Sequence, residues 1–137
     1  MATWLVKSEP DTWSWDDMVK AKATEWDGVR NNQAALHLKA MRKGDQALFY
    51  HSGEERRVVG IVQVTKEAYP DPGDPAGRFV MVDVKAVKPV PRPVTLAAIK
   101  ADPRFKDFAL VKFSRLSVMP VAPEHWKAIL ALGGVKA

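Results

Sequence analysis

Three strand-like segments follow one another at short spacing in the middle of the chain, and no other feature constrains the fold as strongly. They cover residues 46–51, 57–65 and 79–87, and they are rich in Val, Ile and aromatic residues. Turn-forming residues at 52–55 and 69–75 separate them. Strands this close in sequence tend to pair with their neighbours, so we expect an antiparallel meander at the centre of the fold.

Strand and helix signals on both sides of the meander predict a mixed α/β (α+β) fold. Residues 3–7 and 117–121 are strand-like, residues 24–28 carry a turn signal, and the prolines at 89–93 predict an extended edge that leaves the sheet. Each predicted helix start has its own capping residue or a first-turn proline. These residues are Thr12 or Ser14, Asn31 or Asn32, Thr95, and Pro123. We expect a curled or closed sheet with helices packed at its edges and over its ends.

Length and composition are those of one globular domain. The chain has 137 residues, of which 47% are hydrophobic and 27% are charged, so we expect a single domain over residues 1–137. It contains no cysteine, which excludes disulfides, thiolate metal sites and a cysteine nucleophile. No apolar run reaches the roughly 18 residues of a membrane span, and a charge interrupts the N-terminal segment before a signal peptide could develop. We therefore expect a cytoplasmic protein with no membrane contact, and a monomer as the default state.

The residues that usually carry catalysis do not occur in a catalytic pattern. The three histidines lack metal-ligand spacing, and the sequence contains no GxSxG, P-loop or GxGxxG motif. Two carboxylate pairs, Asp16–Asp17 and Glu54–Glu55, lie in a predicted helix cap and a predicted loop, where adjacent residues do not face each other across a substrate. We therefore expect no metal, no cofactor and no catalysed reaction.

Polar and aromatic residues crowd between Trp26 and Gln33, and the formal net charge of +5 adds a basic surface suited to phosphate or another anion. Arg30 beside a helix N-terminus suits an anion or a carbonyl oxygen, and the amides of Asn31 and Asn32 can both donate and accept, as reading a nucleobase edge requires. Trp26 could stack on a base. Alternatively, Trp26 is a core anchor and either asparagine is only the helix cap.

Two further clusters could complete a pocket. Residues 49–52 close a predicted strand, so Tyr50 and Ser52 share one face of the sheet while His51 points to the other. Lys7 and Ser8 end the first strand, where site residues tend to collect. The structural alternatives are a core tyrosine and a solvated turn.

Taken together, these segments resemble the EVE domain family over almost the whole chain. The matching blocks, in the order of the family, are residues 4–10, 26–31, 41–45, 49–52, 67–71 and 115–121, followed by Trp126. Several blocks in the right order are far more specific than any single motif.

The resemblance implies a PUA-like fold, a mixed barrel with peripheral helices related to YTH and ASCH domains, and a pocket for a flipped or unpaired modified base of DNA or RNA. On this sequence, Trp26 would be an aromatic wall, with Arg30 and Asn31 as polar readers. The family commonly has an aromatic residue where this chain has Asn32, which leaves the preferred base open. The rest of the lining implied in this way is Lys7, Ser8, Tyr50, His51, Ser52, Leu116 and Ser117.

The sequence therefore predicts a binding module for a modified nucleobase in a basic, aromatic-lined pocket, with nucleic acid as its partner. An ASCH-like hydrolase of modified nucleosides is the first alternative. A small-anion or protein-binding adaptor is the second.

Overall fold

The computed structural model describes residues 2–135, which form one mixed six-stranded sheet and five α-helices. The strands are β1 (Thr3–Ser8), β2 (Ala23–Trp26), β3 (Gln46–His51), β4 (Arg57–Pro70), β5 (Val80–Thr95) and β6 (Val118–Pro120). The helices are α1 (Trp15–Ala21), α2 (Asn32–Ala40), α3 (Leu96–Ala101), α4 (Ala109–Lys112) and α5 (Pro123–Gly133), with a 3₁₀ turn at Pro103–Phe105. The predicted α+β class is confirmed.

The strand order across the sheet is β2-β5-β4-β3-β1-β6. Strands β3, β4 and β5 form the predicted antiparallel meander, and β1 lies parallel to β3 on its far side. The edge strands β2 and β6 pair antiparallel with β5 and β1. Within residues 2–135 these two edges do not pair with each other, so the sheet is not closed into a barrel, which was one of the two predicted forms.

Side-chain alternation along the strands divides the core between the two faces of the sheet. Trp4 and Val6 of β1 point to one face and Leu5 points to the other. Helices α1 and α2 cover the first face, whereas α3, α4 and α5 cover the second. The fully buried helical residues include Met18 and Leu38 on the first face, and Ile99 and Ile129 on the second.

Two sequence-based expectations about the sheet are wrong. The turn expected at residues 24–28 is replaced in large part by the edge strand β2, Ala23–Trp26. The prolines at 89–93 do not leave the sheet, because β5 continues through them and pairs with β4 as far as Thr95. Strand β2 pairs only with residues 82–85, so the proline part of β5 has a partner on one side alone and the missing N–H groups are tolerated.

A close contact between helix α1 and strand β4 positions the loop that precedes the helix. A Cβ on Gly60 would lie 2.4 Å from the indole ring of Trp15, so the strand needs glycine where the helix crosses it. The backbone N–H of Trp15 also donates to Nε2 of His51 at 3.0 Å. In the part of the chain that the structure describes, no helix is both long and apolar enough to cross a membrane.

Candidate functional site

A cavity of about 480 Å³ opens where the ends of β1 and β2 approach the loop before α1, and we call it the tryptophan cavity. It brings together four of the residues singled out in the sequence. These four are Lys7, Ser8, Trp26 and Ser117. Ser117 lies beside Lys7 because the segment before β6 continues its pairing with β1, whereas Trp26 comes from the opposite edge strand, β2.

Two tryptophans line this cavity. Trp26 is 8% exposed and packs edge-on against Phe49, with ring centroids 5.5 Å apart and planes at 85°. It therefore serves as a core anchor, which was one of the two alternatives for this residue, and it also lines the cavity. Trp13 also lines the cavity, and its Nε1 is buried without a hydrogen-bond partner among residues 2–135.

Sequence reasoning missed Trp13, although it follows the Lys7–Ser8 pair within a single turn. The hydroxyl of Ser8 donates to the carbonyl oxygen of Trp13 at 2.6 Å, and the backbone N–H of Trp13 donates to the carbonyl of Glu9 at 2.9 Å. These two bonds bring the ring back over the end of β1. The missed signal was a tryptophan in a turn that follows a strand end, a position where binding residues collect.

The tryptophan cavity is not basic, contrary to expectation. Its ionisable lining residues are one lysine, Lys7, and three carboxylates, Glu9, Glu25 and Asp27. The Lys7 ammonium is occupied in part, because Nζ donates to the carbonyl oxygen of Ser114 at 2.9 Å. Burial lowers the pKa of Lys7 below its ordinary value.

A buried carboxylate, Asp71, fixes the loop that forms one wall of the cavity. Its Oδ2 accepts from the backbone N–H of Gly28 and from the Arg30 guanidinium, both at 2.9 Å, and its Oδ1 accepts from the N–H of Gly73 at 2.8 Å. These bonds, led by the one from Gly28, hold the pKa of Asp71 below its ordinary value. Arg30 itself does not line the cavity, and its guanidinium instead forms an ion pair with Asp71.

Three further residues of the sequence-based set lie outside the tryptophan cavity. Asn31 is the cap of α2, because its Oδ1 accepts from the N–H of Ala34 at 2.9 Å, and this alternative is confirmed. Asn32 is the exposed first residue of the same helix. His51 is buried, with Nδ1 2.8 Å from a carboxylate oxygen of Glu55 and Nε2 accepting from the backbone of α1.

The remaining predicted residues lie in two neighbouring concavities. Tyr50 and Ser52 line a recess of about 230 Å³ together with Lys7, and they share one face of the sheet as expected. Leu116 and Asn31 line a third concavity of about 680 Å³. Eight residues of the predicted set therefore lie in three adjoining concavities, whereas Arg30, Asn32 and His51 line none of them.

Comparison with known proteins finds the same architecture elsewhere. The family model of the EVE domain matches residues 2–132. Human thymocyte nuclear protein 1 is 34% identical over an alignment 164 positions long, which covers 94% of this chain and 72% of the human protein. A crystal structure of that protein in complex with 5-methylcytosine containing DNA has a TM-score of 0.92 and 32% identity, covering 100% of both chains.

Two further solved structures are similar to this chain, one at higher and one at lower sequence identity. The NMR structure of a protein from Rhodopseudomonas palustris is 57% identical, has a TM-score of 0.92, and covers 98% of this chain and 94% of that one. The YTH domain of Zygosaccharomyces rouxii MRB1, solved in complex with N6-methyladenosine RNA, has a TM-score of 0.58 at 17% identity. The YTH likeness shows a related fold alone.

Proposed function

This chain belongs to the EVE domain family, and we propose on that premise that it binds a modified nucleobase, with 5-methylcytosine as the first candidate, and catalyses no reaction. The observation that carries the proposal is the similarity, at a TM-score of 0.92, to the human protein in complex with 5-methylcytosine containing DNA. The tryptophan cavity is our candidate for the site. Its volume of about 480 Å³ accommodates a base that has been turned out of its stack.

The chemistry of the cavity walls suits a base that carries an exocyclic amine. Carboxylates accept hydrogen bonds from the N4 amine of cytosine, and Glu9, Glu25 and Asp27 line the cavity. The acidic lining is therefore consistent with reading a base edge, while phosphate attraction must come from cations elsewhere.

Stacking on Trp13 or Trp26 would supply about 1–3 kcal/mol per base. We expect calorimetric titration with a short single strand containing one 5-methylcytosine to show tighter binding than with its cytosine parent. Trp13→Ala should weaken this binding by about 10-fold or more, and Trp126→Phe, on α5 and outside the cavity, is the control. At position 26 the replacement is phenylalanine and not alanine, because Trp26 also belongs to the core.

Two results would contradict the proposal. The first is equal affinity for modified and unmodified strands across a panel of modified bases. The second is appearance of a new product when the protein is incubated with modified nucleosides and the mixture is separated by chromatography, because that would favour the ASCH-like hydrolase instead.

A further inference from the structure

The recess beside the tryptophan cavity gathers the positive charge that the cavity lacks. We call it the basic recess, and its ionisable lining residues are Lys7, Arg56, Lys100 and Tyr50. No carboxylate lines it among the described residues. Its hydroxyl donors are those of Ser52, Ser114 and Tyr50. Three cations and several hydroxyl groups thus surround a recess of about 230 Å³. A phosphate group binds to groups of these two kinds.

The cations of the basic recess are not neutralised by neighbouring side chains. Within residues 2–135, neither Arg56 nor Lys100 forms an ion pair with a carboxylate. Glu55, which lies next to Arg56 in sequence, instead contacts His51 and Arg57. Burial raises the pKa of Tyr50, and the positive charge of Arg56 opposes that rise. The Arg56 guanidinium therefore acts on the Tyr50 hydroxyl.

The backbone holds Arg56 against the recess in a conformation that favours glycine. Arg56 has φ +47°, and its Nε donates to the carbonyl oxygen of Gly53 at 3.0 Å. Its own carbonyl oxygen accepts from the N–H of Leu96 at 2.8 Å, which ties the β3–β4 loop to the start of α3 and so to Lys100.

Lys7 connects the basic recess with the tryptophan cavity, because it lines both. Its Nζ lies 5.7 Å from the centroid of the Tyr50 ring and 2.9 Å from the carbonyl oxygen of Ser114, both of which belong to the recess. A base in the cavity would therefore leave its sugar and an adjoining phosphate near Lys7.

We propose that the basic recess binds the backbone phosphate next to the base held in the tryptophan cavity, through Lys7, Arg56 and Lys100. This inference rests on the proposed function and adds the subsite that joins base recognition to the nucleic-acid backbone. Base and phosphate are then bound by separate walls, an acidic one for the base edge and a basic one for the phosphate.

A mononucleotide differs from its nucleoside only by the phosphate group. Comparing the two therefore measures binding of the phosphate apart from the other contacts that a strand makes with the protein. Calorimetry should compare 5-methyl-2′-deoxycytidine with its 5′-monophosphate and its 3′-monophosphate on the full chain. We expect one monophosphate to bind on the order of tenfold more tightly than the nucleoside, because one charged group then meets three cations.

The variant that tests the assignment is Arg56→Gln with Lys100→Gln. It should sharply reduce the advantage of the monophosphate over the nucleoside, because only Lys7 of the three cations remains. For a short single strand containing 5-methylcytosine, it should reduce the slope of log Kd against log salt by about 0.7 for each phosphate that the variant no longer neutralises. Arg92→Gln with Lys127→Gln is the matched control, since it removes the same two charges from exposed positions that do not line the recess.

The possible failures are distinguishable. Nucleoside binding without any advantage of either monophosphate would overturn the phosphate subsite and leave the base pocket standing. An equal effect in the test variant and the control would also overturn it, since general charge would then explain the result. Inorganic phosphate could bind the protein while the monophosphates bind no more tightly than the nucleoside. That result would indicate a site for a free anion and would overturn the assignment to a backbone phosphate. Failure of every nucleoside, nucleotide and strand to bind would overturn the proposed function together with the subsite.

Discussion

At the scale of single residues, Asp71 determines the shape of one wall of the tryptophan cavity. It is 3% exposed and accepts hydrogen bonds from Gly28, Arg30 and Gly73, so one carboxylate joins the loop after β2 to the loop after β4. The Arg30 guanidinium also lies 5.5 Å from the centroid of the Phe79 ring. Arg30 and Asp71 thus act together on the loop that carries Gly28.

Replacing this carboxylate should lower stability in a way that depends on pH. We expect Asp71→Asn to lower the free energy of unfolding at pH 7 by about 2 kcal/mol, because charge-assisted hydrogen bonds are weakened. The pKa of Asp71 is lowered from 3.8 in the folded chain, so its contribution is present above that value and is lost as pH falls through the folded pKa.

Urea unfolding of both proteins at several pH values checks this prediction. The difference between wild type and Asp71→Asn should shrink as the pH falls below about 4. Asp107→Asn, at an exposed position, is the control and should change little at any pH. A difference that stays constant down to about pH 2.5 would contradict the assigned role of the charge.

At the scale of secondary-structure elements, the caps decide where the helices that border the site begin. Ser14 caps α1 through a capping box with Asp17, in which each side chain accepts from the backbone N–H of the other residue. Thr95 caps α3 and Asn31 caps α2. Of the paired alternatives left open by the sequence, Ser14 rather than Thr12 and Asn31 rather than Asn32 are the caps.

Two adjacent asparagines allow a matched test of the cap on α2. Asn31→Ala should lower the free energy of unfolding by about 1 kcal/mol, because the backbone N–H of Ala34 loses its acceptor. Asn32→Ala, one residue further into the helix, should have no such cost, since alanine has the higher helix propensity. Thermal unfolding of the two variants measures the difference, and equal destabilisation would mean that the Asn31 side chain is not the cap.

At the scale of the whole molecule, the central strands join the two halves of the core. Strand β3 contributes Ala47 and Phe49 to the cluster under α1 and α2, and Leu48 and Tyr50 to the cluster under the C-terminal helices. A change on either face therefore acts on the same strands. This coupling leads us to expect one cooperative unfolding transition.

Substitutions on opposite faces test the coupling. Leu38→Ala in α2 and Ile99→Ala in α3 each remove a fully buried side chain, so each should destabilise the chain by about 2–5 kcal/mol. Tryptophan fluorescence reports mostly on the first face, where Trp4, Trp15 and Trp26 are buried, whereas far-UV circular dichroism reports on all helices. The two transitions should coincide in both variants. Separate transitions in either variant would contradict a shared core.

The sequence by itself determined the α+β class, the meander and the family, and it narrowed the caps of α1 and α2 to two residues each, because each of these depends on residues close together along the chain or on motifs in a fixed order. Local pattern could not find β2, since its pairing with residues 82–85 joins segments about sixty residues apart. It also could not separate the polar residues of the site into an acidic cavity and a basic recess. Only the tertiary structure decided that, because Lys7 meets Ser114 across 107 residues and Gly28 meets Asp71 across 43.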